Sequence, residues 1–159
     1  MKKLSFLLLA IVFSIAVSCK KDAASNSTSN SVIESQKAIV ASNTWKVTSF
    51  IENGVDQTSD FATYLLQFNS DGSAVATSTG IGILYSGSWS LMKGSHSEYD
   101  DSGNHLSGDS NILGITLTGH YHMDEISEDW KIVKLTDTET WLLDDNKTSS
   151  KEIHFTKNS

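Results

Sequence analysis

The chain has 159 residues and a formal net charge of −7, with 19 acidic side chains set against 12 lysines and no arginine. A surface of that sign repels phosphate backbones, which excludes nucleic acid as a partner class. One cysteine and no proline rule out disulfides and cysteine-ligated zinc in a folded domain, and leave nothing to interrupt sheet hydrogen bonding.

Met1-Lys2-Lys3 gives a basic start, and Leu4 to Val17 is an apolar run broken only by Ser5 and Ser14. The run falls short of the roughly 20 residues that a bilayer-spanning helix needs. Small residues follow, in Ala16-Val17-Ser18, and then Cys19. A basic start, a short apolar stretch and small residues at its end describe a secretory signal peptide. Lacking paired arginines, it belongs to the general secretory route. With a cysteine at the cut point, the segment resembles the lipobox of bacterial lipoproteins. That resemblance implies removal of residues 1–18, lipidation of Cys19 on sulfur, and a chain anchored in the cell envelope. The expected site is the outer membrane, on its periplasmic or surface face.

Residues 19–31 read as the lipidated cysteine and a flexible tether. Ala23 to Asn30 is small and polar and cannot bury a core, so it is expected to behave as coil. Ser31 and Glu34 have the spacing of a capping box. Val32, Ile33, Gln36, Ile39 and Val40 then recur at helical spacing, which predicts a short helix from Val32 to Ser42.

From Thr44 the apolar period becomes two. Trp45, Val47 and Ile51 alternate with polar residues, and Phe50 breaks the pattern. Tyr64, Leu66 and Phe68 form a second strand, and Asn69-Ser70-Asp71-Gly72 signals a tight hairpin. Ser73–Thr79 returns as a strand of small residues. Ile83, Tyr85, Gly87, Trp89 and Leu91 share one face of the next strand, and Leu113, Ile115 and Leu117 one face of another. Trp130–Val133, Thr140–Leu143 and Glu152–Phe155 complete the set. Eight short strands joined mostly by polar turns predict an all-β domain over 32–159, an antiparallel meander closed into a barrel or, failing that, a sandwich.

Asn43-Thr44-Trp45-Lys46-Val47, Phe68-Asn69-Ser70-Asp71-Gly72, Gly87-Ser88-Trp89, Trp130-Lys131-Ile132 and the terminal Ile153-His154-Phe155 together resemble the lipocalin-like domain lipoproteins of Gram-negative cell envelopes. The resemblance implies an eight-stranded up-and-down, lipocalin-like barrel with a tryptophan near its closed end and, for most members, no known activity. The late arginine of true lipocalins has no counterpart here, which argues against a ligand with a deeply buried carboxylate.

Trp45, Trp89, Trp130 and Trp141 fall at positions expected to face inward, as do Tyr64, Phe68 and Tyr85. Two readings are open for these seven: an aromatic cup for a greasy ligand, or the packing of a small barrel that side chains nearly fill. His120-Tyr121-His122 sets two imidazoles on one side of an extended strand, with Asp124, Glu125 or His154 as further donors. Spacing that generic reads as solvated histidines, so no metal and no cofactor is assigned. Met92–Ser110, rich in Gly, Ser and charge, reads as a solvated loop that gates the barrel mouth. Without a nucleophile elbow or a dinucleotide fingerprint, the chain is not expected to be an enzyme.

The expected function is therefore a monomeric, lipid-anchored barrel that binds a small apolar or amphipathic ligand non-covalently. The alternative is a filled barrel that docks an envelope complex through outward apolar residues such as Leu65, Leu84 and Ile112. Cys19→Ala is expected to move the protein from the membrane to the soluble fraction or leave it unprocessed. Unchanged membrane retention on fractionation would contradict the anchor.

Overall fold

The computed structural model describes residues 23–94, 98–99, 105–106, 111–119, 121–144 and 150–159. Helix α1 spans Ala23–Ala41 and leads into β1 (Thr44–Glu52). Then come β2 (Val55–Asp56), the 3-10 turn η1 (Thr58–Phe61), β3 (Tyr64–Phe68), β4 (Ser73–Ser78) and β5 (Leu84–Lys93). The small pair β6 (Glu98–Tyr99) and β7 (His105–Leu106) lies in the long connection before β8 (Asn111–Leu117). Helix α2 (Tyr121–Ile126), β9 (Asp129–Leu135), β10 (Glu139–Asp144) and β11 (Lys151–Lys157) finish the chain.

Eight strands form a closed antiparallel barrel in the order β1-β3-β4-β5-β8-β9-β10-β11, and β11 closes on β1 from Trp45↔Lys157 to Glu52↔Lys151. This is the expected all-β fold with an N-terminal helix. Closing the ring buries the one apolar face of every strand together. The interior holds Trp45, Phe50, Leu66, Phe68, Leu113, Leu117, Trp130, Leu142, Ile153 and Phe155, all nearly inaccessible.

Several local expectations are corrected. Helix α1 begins at Ala23, inside the stretch read as a coil tether, so Ser31 lies within the helix and does not cap it. In β1 the register shifts between Val47 and Ser49. That bulge turns Phe50 fully inward and leaves Ile51 half-buried, the reverse of simple alternation. His122 sits in helix α2, so the extended pair of imidazoles does not form; His120 lies outside the described residues. Ile83 is exposed in the β4–β5 turn rather than facing the core.

Trp141 is the clearest reversal. Thr140 and Leu142 are buried, so a period of two places the indole between them on the outside, 37 % exposed. There it stacks on His154 at 4.6 Å and 14°, lies under the Lys134 ammonium at 4.5 Å, and donates to Glu139 at 3.0 Å. Of the outward apolar residues, Leu84 is 63 % exposed, Leu65 is half-buried, and Ile112 is buried.

One glycine is demanded by the closeness of two backbones. A Cβ on Gly87 would stand 1.7 Å from the Thr116 carbonyl oxygen on the neighbouring strand. Gly87 pairs with Leu117 in the β5–β8 ladder, so nothing flexible can yield. Gly87→Ala is expected to lower unfolding stability by about 3 kcal/mol, the upper end of what overpacking typically costs, measurable by urea denaturation.

Candidate functional site

The two ends of the barrel are closed by different elements. At one, called here the helix end, α1 lies against β5 and β3. The Trp45 indole donates to the Val40 carbonyl at 2.9 Å, satisfying an acceptor in the last turn of α1. Gln36 also pairs with Asn111 at the start of β8. At the far end, α2 and η1 send in Met123, Ile126 and Phe61, all inaccessible. There the Trp130 indole donates to the Ile126 carbonyl at 3.0 Å.

A groove of about 470 Å³ opens at the helix end, between α1, the β3–β4 turn and β5. Its floor is the inward-facing Trp89 and Leu91, and its helical wall is Ala38 and Ala41. Glu34 and Lys37, paired at 3.1 Å, form one rim, and Ser70, Asp71 and Ser90 the other. The turn that shapes it is rigidly built. Gly72 takes φ 86°, its amide donates to Asn69 at 3.0 Å, and its carbonyl accepts from the Trp89 amide at 2.8 Å. The Trp89 indole donates to the Asn69 carbonyl at 2.8 Å, so the floor and the turn are locked together. The Ser73 hydroxyl and amide both donate to Asp71, at 2.7 and 2.9 Å, and hold its carboxyl below the ordinary carboxylate value. Chemically this is a half-apolar trough with an ionic lip, suited to holding an amphipathic molecule without bonding to it.

Of the seven aromatic residues expected to form a cup, only Trp89 lines this groove. Trp45 and Trp130 are core, with their indole N–H groups used on the two helices. Phe68 packs edge-on against Trp89 at 5.7 Å and Phe155 at 6.5 Å. Tyr64 and Tyr85 face each other at 6.0 Å inside the barrel. Burial, reinforced by Tyr85, raises the Tyr64 hydroxyl above its ordinary value. Trp141 is on the outer wall. The helical wall and Asp71 were read in the sequence as a short helix and a turn, and only the tertiary fold makes them neighbours of Trp89.

His122 and Glu125 approach to 3.6 Å on α2, with the Phe61 ring centre 5.7 Å from the imidazole centre in a T-shaped contact. No group of three or more metal-ligating side chains occurs among the described residues. The far end is instead tied by Lys151, whose ammonium reaches Glu128 at 3.1 Å and Glu52 at 3.6 Å. Compared with known proteins, the chain matches no family model and no curated protein.

Burial alone would lower the Lys151 value, but the hydrogen bond to Glu128 and the charges of Glu128, Glu52 and Asp144 raise it above normal. A lysine raised in the folded state stabilises fully below its unfolded value, about 10.4, and that contribution is lost as pH rises through the folded value. Lys151→Met is expected to cost about 2 kcal/mol at neutral pH, as for hydrogen bonds to charged groups. The difference from the parent should shrink as pH rises past that unfolded value, about 10.4, readable from denaturation midpoints across pH.

Proposed function

We propose that the protein is a lipid-anchored component of the cell envelope, of the lipocalin-like domain lipoprotein kind. In this reading it binds a small amphipathic ligand non-covalently in the groove at the helix end. The observation that carries it is the groove itself. Its volume of about 470 Å³ lies within the roughly 300–1,000 Å³ of small-molecule sites. Trp89 and Leu91 would take the apolar part of the ligand while Lys37, Glu34 and Asp71 face its polar end. The packed interior favours this seat over one deep in the barrel.

The anchor reading rests on residues 1–19. Cys19 is the single thiol in the chain, and two or three acyl chains at about 0.8 kcal/mol per buried methylene would hold it stably in a membrane. The connection to the domain is then largely α1, which rises about 1.5 Å per residue as a helix. A ligand held beside α1 would be captured near the membrane rather than carried away from it. The role is binding, with no catalytic step assigned.

Titration with dodecyl maltoside, followed by tryptophan fluorescence, tests the site. Saturable quenching is expected below the micellar concentration. Ala38→Phe, which adds a ring on an exposed wall position, is expected to weaken it by about tenfold or more, the scale of displacing one buried apolar side chain. No quenching in the parent, or equal quenching in the variant, would remove the groove as the ligand site.

A further inference from the structure

The far end of the barrel carries a surface that the groove does not use. In the β4–β5 turn Ile81 is 71 % exposed and Ile83 46 %, and Leu84 at the start of β5 is 63 % exposed. From Ser73 to Met92 the sequence contains no charged residue, so the hairpin brings no charge of its own to this tip. Nor is the tip a loose loop. The Ser78 amide donates to the Ile83 carbonyl at 2.9 Å, and the Gly82 amide to Ser78 at 2.8 Å, with Gly82 at φ 68°. The three side chains are therefore presented on an ordered turn, away from the core. Exposed apolar residues grouped in this way mark interaction sites.

What surrounds the tip sets the sign of its partner. The Thr63 carbonyl accepts from the Thr79 amide at 2.8 Å and hydroxyl at 3.0 Å, which ties the tip to the η1 segment carrying the exposed Asp60. Thr118 donates to the Ser86 carbonyl, and Gly119 lies against the Tyr85 ring, which ties the tip to the α2 segment with Asp124, Glu125 and Glu128. Among the described residues Lys131 and Lys151 are the lysines at this end, and Glu52 and Glu128 already engage Lys151. Lys46, Lys93, Lys134 and Lys157 lie toward the helix end, at or near the opposite termini of their strands. Carboxylates thus outnumber lysines at the far end, while the helix end carries both signs.

We infer that the far end is a docking surface for a basic, apolar-lined segment of another protein. The segment would cover Ile81, Ile83 and Leu84 and set its cations against Asp60 and Asp124. A second copy of this chain would bring the same carboxylates and be repelled. An anionic leaflet would be repelled in the same way. Charge complementarity therefore selects a cationic polypeptide, and the apolar tip distinguishes docking from simple charge neutralisation.

The test uses a fluorescein-labelled amphipathic helical peptide built from leucine and lysine, titrated with purified protein and followed by anisotropy. Saturable binding is expected, with loss on raising salt. The double variant Ile81→Ser/Leu84→Ser should weaken it by about tenfold or more, since each side chain would leave a buried contact. Asp60→Asn/Asp124→Asn should weaken binding too and flatten its salt dependence. All four positions are exposed, and near-ultraviolet circular dichroism checks that the core is intact. The proposal is overturned if the peptide does not bind, if the Ile81/Leu84 variant binds as the parent does, or if a leucine–glutamate peptide binds equally. Flotation of the protein with phosphatidylcholine vesicles, abolished by the same tip variant, would reassign the tip to lipid and also overturn it. Dodecyl maltoside binding in the groove is expected to be unchanged in both variants, which separates this surface from the helix-end site.

Discussion

Two hydrogen bonds from indole nitrogens hold the architecture to its helices. Trp45, inside the barrel at one end, donates to Val40 of α1, and Trp130, inside it at the other, donates to Ile126 of α2. Each bond meets two requirements together. A buried indole N–H needs an acceptor, and a helix that ends against a protein core leaves carbonyls without intrahelical partners. Large rings thus fill the barrel while their one polar atom fastens a lid across each mouth. The consequence for function is direct: with the interior filled and the mouths covered, recognition is left to the seams and rims.

The seam at the helix end and the rim at the far end differ in chemistry because the sequence distributes its charges unevenly. Both signs of charge meet where α1 crosses the barrel, and carboxylates predominate where α2 and η1 do. The β3–β4 turn is rigid through Asn69, Asp71 and Gly72, and it forms one bank of the groove. The β4–β5 turn is equally ordered but wholly uncharged, and it projects. Two hairpins of the same meander therefore serve opposite purposes, one enclosing a hollow and the other presenting a knob.

Much of the barrel was legible before any coordinates. Period-two alternation from Trp45 to Phe155 placed the eight strands, and Asn69–Gly72 announced its hairpin, because turn chemistry and half-buried strands are local properties. What escaped was whatever depends on register or on tertiary neighbours. A bulge after Val47 exchanged the roles of Phe50 and Ile51, and no local rule marks where a strand slips by one. Trp141 reads as core by its size, yet Leu142 beside it occupies the inside, and the indole is sheltered by His154 and Lys134 instead. Helix α2 is only six residues long, too short to show a helical period, so His122 looked extended. The groove escaped for the same reason: Ala38 and Asp71 are unremarkable until the fold lays them on either side of Trp89.

Ring closure has one further consequence, which concerns time rather than shape. The strand that completes the barrel, β11, is the last in the chain, and its partner β1 is the first. Pairings between such distant segments carry a large loop-closure cost and slow folding. Until β11 is available, β1 and β10 each lack a neighbour on one side, and the apolar faces they carry cannot all be enclosed. The native state is therefore out of reach for a nascent chain that has not yet delivered its final strand.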